Sequence, residues 1–322
     1  MILALHVNFF CIGSVGGGEI SDDLIAASLR VFLEFVCIVA VNVFVLISGY
    51  FGINAKAKGL SNFLYQIIFF YGATYLFFLL IGKSSLSYEG ITSVFFLQKG
   101  GWFIKSYLCL YILSPILNTF IKNSQEKQIR NILFAFFLFQ AIYGWVFSNS
   151  TSYFANGYSV VSFIGLYLLA RYVRLYGEKI KLFTLKRKYD IILFFLICVA
   201  ETILYIMFCI YDISFLNIFT AYSSIFIILS ALHLFLFFSK LKFESETINI
   251  IAKSSFAAYL FHSSYCILPI YKRIGYYIYC NYSSLYCILL MLVFILITYI
   301  LSIIMDRVRL FTWKSVERKF FN

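Results

Sequence analysis

A polar or ionisable side chain inside a long apolar run is costly to keep there, so each one is a candidate for chemistry. In this 322-residue chain the set is short: His6, Glu34, Asn42, Lys105, Asn118, Glu201, His233 and His262. His6, in the string ALHVNFF, is the side chain best suited to take a proton near neutral pH, because an unperturbed imidazole titrates at about 6.5. The plain alternative for His6 is a ring bonded to a nearby carbonyl or resting at headgroup level. Glu34 stands at the start of an apolar stretch, where an interfacial carboxylate is also at home. Glu201 lies midway along another with no local partner, and paired burial and a site role suit it equally. Lys105 lies one turn inside its stretch and is placed to snorkel outward. His233, in SALHLFLFF, reads as structural. Trp102, Tyr107, Tyr111 and Asn118 recur at helical spacings in one stretch and share about one face. That face suits either a binding channel or interhelical packing.

The elements that must position these groups are long apolar helices. A bilayer core about 30 Å thick needs about 20 apolar residues. Nine stretches meet that need: 31–52, 61–82, 101–121, 131–148, 159–176, 189–211, 215–238, 254–271 and 284–305. Their continuity argues against barrel strands, which alternate in polarity over about ten residues. A tenth stretch, 2–12, is about 16 Å long as a helix, too short to span. Taken as ten crossings, the chain has twenty Lys and Arg on one set of connections and the tail, against five (Arg30, Lys83, Lys99, Lys272 and Arg273) on the other. That asymmetry predicts both termini in the cytoplasm. Pro115 falls mid-helix, where it frees a carbonyl and predicts a kink; Pro269 is expected to act alike near the end of its stretch. No internal repeat is visible, connections are short, and residues 1–322 read as one all-α membrane domain.

Composition excludes most other classes. The chain is 62% hydrophobic and 12% charged, with a mean hydropathy of +0.91, against about 45–50% apolar and about 25% charged in soluble domains. Disorder needs low hydrophobicity. The net charge of +12 follows from cytoplasmic Lys and Arg rather than from a nucleic-acid surface, since no basic stretch outside the apolar runs is interleaved with aromatics. The eight cysteines mostly lie in apolar runs, Cys280 being the one expected in a loop, and no CxxC or Cys/His spacing suggests a metal.

Several strings together resemble one family. They are NVFVLISGYF (42–51), WFIKSYLCLYILSPILN (102–118), FIGLYLLARYVRLY (163–176), SSFAAYLFH (254–262) and IMDRVR (304–309). In this order, with ten helices, the chain is similar to the membrane acyltransferase-3 family, which includes bacterial O-acetyltransferases of surface polysaccharides. The resemblance implies a ten-helix domain in a bacterial inner membrane that moves an acetyl group from acetyl-CoA to a hydroxyl of a cell-surface glycan or its lipid-linked precursor. It implies no permanently bound cofactor, and it places the catalytic histidine on the first helix, where His6 matches. The family's upstream arginine has no counterpart, because only five residues precede His6. An arginine pair often found after the SGY-like motif is replaced by Lys56 and Lys58.

On this footing His6 is the expected base. Trp102, Tyr107, Tyr111, Asn118, Asn42, Ser48 and Tyr50 are the expected substrate contacts, and Lys56, Lys58, Arg187 and Lys188 the expected contacts to acetyl-CoA. Membrane lipid is the remaining expected partner. Two alternatives are a flippase- or polymerase-like glycan protein without acyl transfer, and a catalytically disabled relative. The short first helix further predicts a functional form that begins upstream of Met1.

Overall fold

The computed structural model describes residues 1–95, 101–147, 153–213 and 219–321. Lys99, Ser148 and the first residues of the predicted 215–238 stretch lie outside the described residues. Those described form helices and no strand: α1 (Ile2–Ile12), α2 (Gly17–Asp22), α3 (Leu24–Ile38), α4 (Ala40–Phe51), α5 (Ala57–Leu80), α6 (Tyr88–Val94), α7 (Trp102–Asn123), α8 (Glu126–Val146), α9 (Val160–Tyr176), α10 (Arg187–Ile210), α11 (Ile225–Ser239), α12 (Glu246–Ala252), α13 (Ser255–His262), α14 (Ile267–Asn281) and α15 (Ser284–Phe320).

Seven helical segments among these residues are long and apolar enough to cross a bilayer, counting α3 and α4 as one, and α1 and α11 are shorter apolar helices. Together they are the apolar elements of an all-α integral membrane protein. Leu292, Leu296 and Ile300 on α15 are exposed while Asn42, Glu201, His262 and Asp306 are buried. That is the distribution of a protein whose solvent is hydrocarbon. At about 1.5 Å per residue α15 is about 55 Å long, and its charged last turns run past any apolar core.

The local expectations between residues 254 and 281 are corrected. The 254–271 stretch is broken into α13 and α14 by a turn at 263–266, where the Ser263 and Ser264 hydroxyls bond back to the Tyr259 and Phe261 carbonyls at 2.6 and 2.9 Å. Such back-bonding satisfies carbonyls at a helix end. Pro269 therefore stands in the first turn of α14, where its missing N–H costs nothing, and does not kink a span. Lys272 and Arg273 lie within α14 rather than in a loop, as does the exposed Cys280. Pro115 lies inside a continuous α7, and the Tyr111 carbonyl that it deprives of a backbone donor accepts from Ser114 Oγ at 2.8 Å.

The chain forms two compact units whose segments alternate along the sequence. In the first, made of Met1, Val15–Ala55 and Trp102–Lys242, α4 packs on α9, α10 on α3 and α11, and α7 and α8 on α9. Gly49 makes the α4–α9 approach possible: a Cβ there would stand 2.6 Å from the Tyr167 carbonyl oxygen. Small residues let membrane helices close to backbone distance in this way. In the second, made of Ile2–Ser14, Lys56–Gly101 and Phe243–Asn322, α1 packs on α14, and α13 on α5 and α15.

Candidate active site

The second unit assembles a pair of histidines. In α1, Leu3 and Val7 enter a core with Ala258, Tyr271, Ile278 and Met291, and the Tyr271 hydroxyl donates to the Leu3 carbonyl at 2.8 Å. This anchors the helix while its second half, His6–Ile12, opens into wider π-helical turns, a deformation found often at functional sites. His6 is half-buried. Its Nδ1 lies 2.6 Å from Nε2 of the fully buried His262, the last residue of α13. His262 Nδ1 in turn lies 2.6 Å from the Ala258 carbonyl oxygen, one helical turn back.

Chemistry fixes the direction of this chain. A carbonyl oxygen can only accept, so His262 Nδ1 carries the hydrogen. With both rings neutral, His262 Nε2 is then a lone pair and His6 Nδ1 donates to it. His6 Nε2 is left as the free basic nitrogen. A base held by one ring nitrogen while the other faces the reaction is the arrangement of catalytic histidines generally. Tyr259 and Tyr271 flank the His262 ring, with centroids 6.1 and 5.1 Å away. Lys272 Nζ stands 3.7 Å over the Phe10 ring, and Phe10 lies against His6 at 5.2 Å. Among the described residues no set of three His, Cys, Asp or Glu side chains converges on a metal position.

The residues expected to contact substrate fall in the first unit, and two of them, Tyr111 and Asn118, converge on the four residues after α4. Tyr111 donates to the Asn54 carbonyl at 3.2 Å and Asn118 Nδ2 to the Ile53 carbonyl at 3.0 Å. The Tyr167 hydroxyl receives the Ile53 N–H at 3.1 Å and donates to Asn118 Oδ1 at 2.7 Å. Ser48 Oγ lies 3.1 Å from the Tyr107 hydroxyl. Asn42 is buried and donates to the Tyr222 carbonyl at 3.1 Å. Trp102 heads a separate ring cluster, with Tyr158 at 4.5 Å and Tyr222 at 5.6 Å. Tyr50 lies beneath the Arg174 guanidinium, 4.9 Å from its ring centroid.

Of the residues expected to meet acetyl-CoA, Lys58 forms an ion pair with Glu317, and Lys56 is exposed just before α5. Arg187 and Lys188 open α10, stacked on Phe237 at 5.8 Å and Tyr189 at 5.2 Å. The structure thus gathers His6, Lys56 and Lys58 in one unit and the other expected residues in the other. Elsewhere, His233 is a core residue 3.3 Å from the buried Asp190, which also holds Lys240, and both Glu201 carboxylate oxygens are buried with no hydrogen-bond partner among the described residues.

In the sequence His262 is an intramembrane ionisable residue at the end of SSFAAYLFH, and nothing local pairs it with His6. The signal was present: two histidines in apolar helices, each needing a partner. Lys272 falls just past the apolar 254–271 stretch, so the sequence places it in a loop rather than in the helix that carries it.

No curated protein and no solved structure gives a significant match. A family model described as an acyltransferase domain matches residues 1–307. The strings and the apolar helices thus meet in one family, and the chain belongs to the acyltransferase-3 family of multi-pass membrane acyltransferases.

Proposed function

We propose that this chain transfers an acetyl group from acetyl-CoA to a hydroxyl of a cell-surface glycan or its lipid-linked precursor, in a bacterial inner membrane with both termini cytoplasmic. The observation that carries the reading is the one-way chain from His6 through His262 to the Ala258 carbonyl, which leaves His6 Nε2 as a base. As the acceptor oxygen attacks the thioester carbonyl, Nε2 takes its proton. The new C–O bond forms, the carbonyl becomes an oxyanion, and collapse breaks the C–S bond. The leaving thiolate sulfur takes the proton back from His6, which returns to its starting state. Protonated His6 keeps its Nδ1 hydrogen bond to the His262 lone pair, so the charged intermediate is stabilised without rearrangement.

Trp102, Tyr107, Tyr111, Asn118, Asn42, Ser48 and Tyr50 are the substrate-contact residues of this reading. Lys56, Lys58, Arg187 and Lys188 are the donor-side ones. The test uses the full chain in lipid vesicles with labelled acetyl-CoA and the glycan isolated from the producing cell. Label should enter the glycan as an alkali-labile ester with the wild-type chain and not with His6→Ala. Equal transfer by His6→Ala at equal protein level would overturn the assignment of the base. Orientation has its own measurement: Ser315→Cys in intact cells should not react with an impermeant thiol reagent, and reaction from outside would reverse the topology.

A further inference from the structure

The first unit holds two guanidinium groups that are positioned but not neutralised. Arg171 and Arg174 are three residues apart on α9, hence on one face. Arg171 lies under the turn after α4. Gly52 there has φ +80, and a Cβ on it would come within 3.0 Å of Arg171 Nη1. That turn is therefore shaped around the guanidinium, at a backbone conformation that glycine tolerates best. Arg171 Nη1 reaches the Tyr50 carbonyl only at 3.5 Å, and its Nε is buried with no hydrogen-bond partner among the described residues. The exposed Arg174 donates to the Tyr50 hydroxyl at 3.1 Å and lies over the same ring. Among the described residues neither arginine pairs with a carboxylate.

The second unit shows how this chain satisfies another buried arginine. Arg309 sets Nε and Nη2 on Asp306 Oδ1 at 2.9 and 2.8 Å, and Nη1 on Asn62 at 3.0 Å. Arg171 has no such complement. A buried, unused guanidinium donor is costly, and two planar forks side by side match the oxygens of phosphate better than ammonium groups do.

We propose that Arg171 and Arg174, with the Gly52 turn and Tyr50, form a binding site for a phosphate group. The same chemistry is offered by a soluble phosphorylated donor such as a coenzyme A thioester and by an anionic lipid headgroup. In its soluble-donor form the proposal rests on the acetyl-CoA reading above; as a phosphate site it does not.

The test uses the full chain in nanodiscs and needs no turnover. In zwitterionic lipid, binding of pyrophosphate and of adenosine 3′,5′-bisphosphate is measured at low and high salt. In parallel, retention of phosphatidylglycerol is read by native mass spectrometry. Arg174→Gln, on the exposed face, keeps the fold intact. It should weaken phosphate binding about 10-fold, the scale of one charge-assisted hydrogen bond. Arg171→Lys keeps charge but loses the fork and should weaken binding by less. Arginine-dependent binding of the bisphosphate identifies the soluble source, and arginine-dependent retention of phosphatidylglycerol alone identifies the lipid. If Arg174→Gln matches wild type in both assays, or wild type binds neither probe, the site is overturned. His6→Ala should bind phosphate like wild type, so failure of the catalytic reading and failure of the phosphate site are separate results.

Discussion

Two polar clusters, one in each unit, are built from similar materials and end differently. In the first, Tyr111, Asn118 and Tyr167 spend their hydrogen bonds on the backbone of Ile53 and Asn54. In the second, the bonds run in one direction, from His6 to His262 to a carbonyl, and a basic nitrogen remains at the near end. Inside a membrane every polar group must find a partner. A group whose capacity is used up holds structure; one with capacity left over is equipped to act. This separates the expected catalytic residue from several expected binding residues, although sequence gives them the same rarity within apolar runs.

The largest effect expected is from His6. His6→Ala or His6→Gln should lower acetyl transfer by about 10²–10⁴, the range for a general base, with protein level and thermal stability near wild type. Transfer within threefold of wild type would place both clusters in the same structural class.

His262→Ala should come next, with transfer lowered about 10–100-fold, less than a base contributes in full. His262 acts through His6, so the measurement must see His6 itself. In His262→Ala the pH dependence of the rate should shift, because the lone pair that stabilises protonated His6 is gone. His262→Gln supplies an amide oxygen as acceptor and should recover part of the loss. A drop with an unmoved pH profile and no recovery in His262→Gln would make His262 a packing residue only.

The fold was legible where it depends on length and apolarity, and less so where it depends on contact. Nine long apolar stretches could be read because about 20 residues must be apolar to span the core. The division of α13 from α14 could not, since Ser263 and Ser264 end a helix through hydroxyl bonds that exist only once the helix has formed. Misplacing that end also hid Lys272 inside a helix and assigned Pro269 a kink. His6 could be proposed by residue type. Its partner lies 256 residues away, and no local pattern encodes such a pairing. Asn118 and Tyr111 were recognised as sharing a face, but what that face touches, the Ile53 and Asn54 carbonyls, comes from tertiary structure.

A smaller effect, on the other side of the comparison, is expected from Asn118→Ala. It leaves the Ile53 carbonyl and the Tyr167 hydroxyl each short of a partner, at about 1–3 kcal/mol for an unsatisfied buried group. The expected result is a lower unfolding temperature and lower abundance, with transfer per folded molecule within a few-fold of wild type. Loss of transfer at unchanged stability would move Asn118 from holding the loop to binding substrate. Trp102→Ala and Tyr107→Ala sort the aromatic stripe by the same measurement.

The smallest effect tests how completely the first unit satisfies its own backbone. Pro115 has no N–H, so the Tyr111 carbonyl four residues earlier lacks its helical donor, and Ser114 Oγ supplies one at 2.8 Å. Ser114→Ala should cost about 1 kcal/mol, at the lower end of the range for an unsatisfied acceptor, read as a fall in unfolding temperature with unchanged transfer. In a Pro115→Ala background the backbone N–H of residue 115 returns as donor to Tyr111, and Ser114→Ala should then cost much less. The two substitutions should therefore be coupled in a double-mutant cycle. Additive costs would show that Ser114 does not replace the donor Pro115 removes, and that this cluster carries an unsatisfied carbonyl as the histidine cluster carries a free nitrogen.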